Sequence, residues 1–531
     1  MWNEQIEIPF QPADGRYGPD SLRRSHEPLT LVVMDEVVYE RGNDESVDAR
    51  NDMEEGGQEF SAMNRQRIRK QFIGSTQITF GGIYRTGVID GALRLDMPLV
   101  LSGYKQSRHH PVLVVHATIS PLLKSPPPVP AARLSGGDQE DLIAHVKAWT
   151  ERTSALKQCA GRRVVASALD TNGRHVLLPR YLAPVSAPPG LLDDIEGGPS
   201  GNRAMLEMLR FVSLIPYDDD ASITGGLADD IFMTSSEFLS ISSGDQEEHT
   251  LLLASMSLSV GIDAMVVMGA SVWDADSNFV LTFGPAGTGA LSPEGMPRVW
   301  NASRGWVKPI RDPQSQVTNV SVVFNASNVW ANIQPTSDLW NLDMTFTNST
   351  KWSALFADSA VPRIAPVQAP VAYSPLRREF YLDIEQRVER EVMETIRDVR
   401  RLKPTYMNRN CSLVLKKLAM ELEQNHALVG LRERDMKPLE EVHAAALSKF
   451  QRSGVQMSSV QICKPFVKME SIREAVVNTG IAIDHGMDVE FSVGVHVRPY
   501  PHRFVCAIWV YIVALYRVDQ PHNFSSPPPP Q

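Results

Sequence analysis

The spacing of apolar and polar positions changes character along the chain. Residues 1–119 carry short β-type runs: Leu29-Thr30-Leu31-Val32-Val33-Met34, Gln77 to Ile83, Gly91 to Leu101 and Pro111 to His116. Between them, residues 40–62 are acidic, glycine-containing and aperiodic, which predicts a long polar loop. Ser125-Pro126-Pro127-Pro128-Val129-Pro130 predicts a stiff linker of polyproline character. A helix is expected over 139–158, with Leu142, Val146 and Trp149 on one face. A hairpin follows, from Val164 to Leu169 and from His175 to Leu182. It turns at Asn172-Gly173, a pair that tolerates positive φ at both central positions.

Pro184 to Gly201 forms a second Pro/Gly-rich joint, after which residues 202–350 alternate helix and strand. Thr234-x-x-Glu237 predicts a capping box at the start of a short helix. A second helix is expected from about 246 to 259, ended by Gly261, with a strand over Ile262 to Val272. Residues 375–480 read as mostly helical. Ser374-Pro375 is the predicted N-cap and first helical position. Phe380, Ile384, Val388, Val392, Ile396 and Val399 then form one stripe of a long helix. Further helices are expected at 408–424, 438–452 and 470–479. Val489, Phe491, Val493, Val495 and Val497 alternate with Glu490, Ser492, Gly494, His496 and Arg498, the period of a half-buried strand. The run Phe504 to Tyr516 is apolar throughout. A membrane-spanning helix needs about 20 such residues, so this run reads as a buried strand that pairs with the preceding one. The Pro-rich stretch Ser525 to Pro530 predicts disorder.

Composition narrows the function classes. The 531 residues include 62 Asp and Glu against 52 Lys and Arg, a net charge of -10. That balance argues against a general nucleic-acid binder, which would carry a basic footprint. The cysteines, Cys159, Cys411, Cys463 and Cys506, are too dispersed for a zinc-type pair and too few for a disulfide scaffold. They suit a reducing compartment. Met1-Trp2-Asn3-Glu4 lacks the charged-then-apolar pattern of a secretory leader. His485, His496 and His502 are too irregularly spaced for a metal motif, so no metal is expected. Gly225-Gly226 and Gly284 to Gly289 are not followed by Lys-Ser/Thr, so no phosphate-binding cofactor is expected. Asp218-Asp219-Asp220 and Asp229-Asp230 offer carboxylates that a cation could use, but read as solvated acidic loop.

Several segments carry a resemblance. Arg210-Phe211-Val212-Ser213-Leu214-Ile215-Pro216 precedes Gly244-Asp245-Gln246-Glu247-Glu248-His249-Thr250-Leu251-Leu252-Leu253. Together they resemble the transglutaminase-like module of the coiled-coil and C2 domain-containing family of the ciliary transition zone. Asn328-Val329-Trp330-Ala331-Asn332-Ile333-Gln334, Tyr406-Met407-Asn408-Arg409-Asn410-Cys411 and His496-Val497-Arg498-Pro499-Tyr500-Pro501 are similar to the same family. Trp2-Asn3-Glu4, Leu31 to Val37 and Ile83 to Gly91 resemble its C2 region. The matches follow family order. The family's long N-terminal region with its coiled coils has no counterpart here, and the first C2 strands are expected to be missing.

The resemblance also sets an expected active site. Enzymes of transglutaminase-like and papain-like type place a Cys at a helix N-terminus, where the dipole favours the thiolate. A His and an Asp or Asn stand on the following strands. Aligning Gly244-Asp245-Gln246 and Val260-Gly261-Ile262 with the family's pattern puts Gln246 at the nucleophile position. The His position falls at Ser277 and the acid position at Asn301. An amide is no nucleophile, and an Asn has no His to orient, so the site reads as catalytically degenerate. His249 is the nearest other imidazole and reads as packed or solvent-facing.

For the C2 region the question is calcium or lipid. Calcium sites of this type use several carboxylates, because Ca²⁺ takes six to eight oxygens. Asp35 follows the strand, but Val37 occupies the position two residues on, and Glu36 points to the other face. No calcium is therefore expected. Arg65, Arg67, Arg69 and Lys70 form a basic cluster, read either as a contact for anionic lipid headgroups or as a charged edge strand guarded against aggregation.

The expected architecture is multi-domain α+β. Residues 1–119 form an N-terminally incomplete C2-type β-sandwich, and 120–200 a Pro-rich linker, helix and hairpin. Residues 201–365 form an inactive transglutaminase-like (papain-like) α/β domain. Residues 366–520 form a helical extension closed by a hairpin, and 521–531 a disordered tail. The resemblance implies a non-enzymatic scaffold at the ciliary transition zone or basal body, on the cytoplasmic side. It implies tectonic-type and Meckel-syndrome complex proteins as partners, with an anionic membrane surface nearby. The rival readings are a cysteine peptidase or transglutaminase using Cys411 or Cys463, and a peripheral membrane-binding C2 module.

Overall fold

The structure is a computed structural model. It describes all residues except 1–4, 13–14, 19–21, 23–24, 26–27, 40–66, 79, 81–82, 85–86, 99–110, 122, 124–134, 137, 139, 194–201, 221–230, 273–275, 284–296, 313–314, 358–360, 363, 402, 430–435, 452–454, 484–488 and 518–531. Within its strands and helices, the side chains of 37–39, 67–69, 135–136, 202, 427–429, 436–438, 440 and 517 are also outside the description. The polar loop at 40–62, the linker at 125–130, the Asp229-Asp230 pair and the tail at 525–530 lie outside the described residues.

The N-terminal part holds two antiparallel pairs. β1 (Leu29–Tyr39) pairs with β2 (Arg67–Ile78), and β3 (Val88–Arg94) pairs with β4 (Val112–Thr118). A bridge from Ser75 to Asp96 links the pairs. Ile78, Ile83, Ile89 and Leu93 share one small core with Leu31 and Val115. Among the described residues, these are two ribbons and not two completed sheets. The strand expected over Gln77 to Ile83 instead ends at Ile78 and begins at Arg67.

A four-stranded sheet of order β5-β7-β6-β8 follows, from β5 (Ser135–Gly136), β6 (Ser167–Asp170), β7 (Arg174–Leu177) and β8 (Ile231–Phe232). The predicted hairpin is β6–β7, but its turn differs from the Asn-Gly expectation. Only Gly173 takes positive φ, at 73°. The Asp170 carboxylate holds the turn, accepting from the Asn172 and Arg174 backbone N–H groups at 2.9 and 2.8 Å. α1 (Glu140–Ser154) begins with two acids, which suit the helix dipole. Its buried Trp149 donates to the Ala354 carbonyl at 3.0 Å.

The central unit is a helical layer on an antiparallel sheet. α2 (Asn202–Ser213), α3 (Ser235–Ile241) and α4 (Gln246–Ser259) supply the helices. The predicted Thr234/Glu237 capping box opens α3, and a second one, Asp245/Glu248, opens α4. The strands are β9 (Ala264–Ser271), β10 (Ser277–Thr282), β11 (Arg298–Asn301), β12 (Trp306–Pro309), β13 (Val317–Phe324), β14 (Val329–Asn332) and β15 (Trp352–Ala354). They form seven strands in the order β12-β11-β10-β9-β13-β14-β15. Alternation divides their side chains. Val266, Met268, Val280 and Trp300 join the large core that includes Leu252, Leu253 and Met256 of α4. Val267, Phe279, Leu281 and Val299 join a separate core on the other face.

The C-terminal part is more sheet-like than the sequence suggests. α5 (Arg378–Val399), β16 (Thr405–Met407), α6 (Arg409–Val429), α7 (Met436–Ser448), β17 (Val455–Lys464), α8 (Met469–Asn478), β18 (Val489–Pro499) and β19 (Cys506–Arg517) follow in order. Their sheet runs β16-β18-β19-β17. The predicted pairing of the last two strands is present along their length, Val489 facing Tyr516 and Pro499 facing Cys506. β17 falls in the stretch read as mostly helical. Its Gln and Ser residues hide the strand pattern, yet β19 is apolar on both faces and needs a neighbour on each edge. α5 starts at Arg378, not at Ser374-Pro375. The Ser374 N–H is taken by His502 Nδ1 at 3.2 Å.

Ile384, Val388, Val392 and Ile396 of α5 pack with α8 on one face of this sheet. α6 packs on the other face, where Gly494 permits close approach. A Cβ there would stand 2.5 Å from that of Leu415. Among the described residues, no helix is long and apolar enough to cross a membrane.

Candidate functional site

The site begins where the chain enters α4. Gly244 fits against the Phe238 ring, where a Cβ would meet ring carbon at 2.8 Å. Asp245 is the N-cap and accepts from the Glu247 N–H at 3.0 Å, while Glu248 returns to accept from the Asp245 N–H at 3.0 Å. Gln246 is therefore the first residue of the helix, the position where the dipole would favour an anion. Its side chain holds an amide instead. Gln246 is only 5% exposed, and its Nε2 donates to the Asn278 carbonyl at 3.1 Å. Thr250 donates to the same carbonyl at 3.2 Å, and Asn278 Nδ2 donates to Glu247 Oε1 at 2.8 Å.

The other two expected positions face away. Ser277 alternates with Asn278 and shares the Phe279 and Leu281 face, where its hydroxyl meets that of Ser271 at 2.7 Å. Asn301 follows Trp300, whose ring lies in the α4-side core, and Asn301 pairs with Trp306 on the far face. Its Oδ1 accepts from Ser303 Oγ and the Arg304 N–H at 3.1 and 2.8 Å. The sequence register is thus one residue off on both strands. Asn278 and Trp300 face α4, and neither supplies an imidazole or a carboxylate.

His249 does not fill the gap. It is fully buried, with Nε2 3.0 Å from the Ile215 carbonyl and Nδ1 against the Asp245 carbonyl. Burial lowers its pKa, with the two carbonyls opposing. The ring leans on Phe238 with centroids 4.9 Å apart.

The structure also gathers a knot of acids that joins Asp220 to two residues of the α4 start. Ligand oxygens of Asp220, Asp245 and Glu248 lie within 4.8 Å of one another, and all three residues are buried. These are the described residues that could hold a metal ion, and an oxygen-only set suits a hard cation such as Ca²⁺ or Mg²⁺. Three carboxylates cannot fill a coordination shell, so such an ion would need further oxygens. Burial and the neighbouring Glu247 and Glu248 raise the Asp245 pKa well above the usual carboxylate range. Burial also raises that of Glu248, against hydrogen bonds that lower it. Asp220, read as solvated loop, is 3% exposed and accepts from the Ile231 N–H. Its run of three aspartates gave no sign of which one turns inward.

The cysteines are not primed either. Cys159, Cys411 and Cys506 are buried, and burial pushes their thiols up, Cys506 to about 12. Cys463 Sγ accepts from the Arg210 guanidinium at 3.2 Å, yet burial outweighs that charge and its pKa is also raised. In the basic cluster, Arg65 and the side chains of Arg67 and Arg69 lie outside the described residues. Lys70 pairs with Glu36 across β1–β2 at 3.7 Å.

A family model described as the CEP76 peptidase-like domain matches residues 230–355, the span from β8 through the seven-stranded sheet. Human Protein CC2D2B is 24% identical over 541 residues, covering 97% of this chain and 34% of its own. Coiled-coil and C2 domain-containing protein 2A of Drosophila melanogaster is 22% identical over 544 residues, covering 97% of this chain and 36% of its own. The chain thus spans about a third of the length of these curated relatives. Among solved structures, LapG of Legionella pneumophila aligns with 27% of this chain and 74% of its own, at 17% identity and a TM-score of 0.22, too low to support a structural argument. Matched nearly end to end by two such relatives, with a peptidase-like module between its N-terminal ribbons and its C-terminal sheet, the chain is similar over almost its whole length to proteins of the coiled-coil and C2 domain-containing type.

Proposed function

We propose that the chain is a non-catalytic scaffold of the ciliary transition zone, supporting cilium assembly and the organisation of protein complexes at the ciliary base. The observation that carries the non-catalytic part is Gln246. An amide, closed onto the Asn278 carbonyl, stands at the helix start where the related enzymes need a thiolate, and no imidazole faces it among the described residues. The likeness to the two relatives supports the location; tectonic-type and Meckel-syndrome complex proteins are the partners this reading expects. In this reading the N-terminal ribbons are the remnant of a C2 module. The peripheral-membrane alternative is the weaker reading, because Lys70, the described member of its basic cluster, is already paired with Glu36.

The test is replacement in a ciliated cell. A tagged copy is expected at the ciliary base, and a Gln246→Ala copy is expected to restore cilium number as fully as the unaltered chain. Diffuse cytoplasmic signal sinks the location. Failure of a folded, correctly placed Gln246→Ala copy sinks the non-catalytic reading.

A further inference from the structure

A cleft of about 240 Å³ lies between the β6–β7 turn, the start of α3 and the extended segment 364–371; its walls include Asp170, Arg174, Tyr181, Phe232, Thr234 and Glu237. The exposed side chains of Thr171, Asn172 and Arg174 leave it open to solvent. Its shape is fixed by hydrogen bonds. Val367 donates to the Arg180 carbonyl at 2.8 Å, and the Ser235 N–H donates to Gln368 Oε1 at 2.9 Å.

Two groups in this cleft lack the partner their chemistry calls for. Tyr181 is 1% exposed, and its hydroxyl has no hydrogen-bond partner. Buried polar groups are normally satisfied, so an orphan hydroxyl at a cleft wall points to a ligand. Burial raises its pKa, and Asp170, Glu237 and Glu248 add to the shift while Arg174 opposes it. Tyr181 lines the cleft together with Asp170, Arg174 and Glu237.

The second group is Glu237. Asp170 is neutralised by Arg174, whose Nε and Nη2 reach it at 2.9 and 2.8 Å. Glu237 accepts only from neutral donors: the Thr171 hydroxyl at 2.9 Å, and the Thr234 N–H and hydroxyl, each at 2.8 Å. Among the described residues it has no cationic partner. Val176 and Val367 add apolar wall, and Tyr181 meets Phe232 edge-on with centroids 5.6 Å apart.

An uncompensated carboxylate, an orphan hydroxyl, aromatic rings and apolar walls match a long apolar stem that ends in a cation. We propose that this cleft is a recognition site for a lysine side chain of a partner polypeptide, its ammonium held between the Glu237 carboxylate and the Tyr181 hydroxyl. The proposal concerns a surface apart from Gln246 and stands independently of the scaffold reading.

The test uses the full chain and a fluorescein-labelled peptide of alternating lysine and alanine, at about physiological ionic strength, so that long-range attraction to an acidic protein is screened. The peptide is expected to bind, and its Nε-acetylated counterpart is not. Glu237→Gln keeps the capping-box geometry and is expected to weaken binding about tenfold, the size of one charge-assisted hydrogen bond. Tyr181→Phe is expected to weaken it less, with an unchanged melting temperature, and carries the test if Glu237→Gln fails to fold. Asp383→Asn, on the exposed face of α5, serves as the charge control and is expected to change nothing. Equal weakening by Asp383→Asn and Glu237→Gln, equal binding of the acetylated peptide, or no binding at all would overturn the proposal.

Discussion

Glu423 and the acids at the start of α4 are both buried, but they meet burial in opposite ways. Glu423, on α6, receives Arg210 Nε at 3.0 Å and Nη2 at 2.6 Å from α2, the Tyr500 hydroxyl at 2.6 Å and Trp509 Nε1 at 2.6 Å. Burial works to raise its pKa, but the Arg210 charge and these hydrogen bonds prevail and hold it at about 2. Asp245 and Glu248 have no cationic partner among the described residues, and both stand raised. One buried carboxylate is thus kept ionised and joins two parts of the fold, while the other two favour the protonated form. The contrast teaches that what decides the state of a buried acid is whether a cation is built in beside it, more than how deeply it lies.

The sharpest way to break the contrast is to remove the cation. Arg210→Met leaves Glu423 buried and uncompensated, and is expected to cost about 3–5 kcal/mol in urea unfolding. A double change, Arg210→Met with Glu423→Leu, is expected to regain most of that loss, and failure to do so would mean the pair itself supplies the stability. Tyr500→Phe removes one charge-assisted donor, for an expected cost of about 1.5–3 kcal/mol. It is also expected to move acid unfolding to higher pH.

The α4 acids make the next test, through pH. Asp245 and Glu248 bind protons more tightly folded than unfolded. Their contribution to stability is present below their unfolded pKa values and is lost as pH rises through the folded ones. Glu423 has the reverse sign, contributing above its unfolded value and losing that contribution as pH falls toward about 2. Asp245→Asn keeps a good N-cap and removes one acid. It is expected to raise stability by about 1 kcal/mol near pH 8 and to flatten the fall in melting temperature between about pH 5 and pH 8. An unchanged pH slope would show that these acids are already neutralised.

The smallest effect is expected from Gln246→Cys. Position 246 is only 5% exposed, and burial should hold the new thiol protonated. Alkylation by iodoacetamide near neutral pH is expected to run about tenfold slower than that of glutathione, with no amide hydrolysis gained. A fast-reacting thiol would mean that the helix dipole outweighs burial.

Much of the local architecture was written in short-range patterns. The bounds of α4 follow from Gly244-Asp245 before it and Gly261 after it, and the Thr234/Glu237 box is visible in the residues alone. The pairing of the final two strands follows from an alternating run beside a wholly apolar one. That Gln246 opens α4 was also legible, because a helix start is defined by its own few residues. Ser277 and Asn301 were not, since a slip of one residue exchanges the two faces of a strand and no local signal fixes that register. β17 was missed for a related reason: its strand character comes from the neighbour it completes.

The sequence by itself determined where helices begin, which strands are buried on both faces, and that an amide occupies the start of α4. Those properties depend on caps, on apolar period and on residue identity, all of which act over a few positions. Only the tertiary structure decided that Asn278 and Trp300 face α4, that Asp220 joins Asp245 and Glu248, and that Arg210 reaches Glu423. Each of these brings together groups distant in sequence, and the charge state of a buried group is set by whatever folding places beside it.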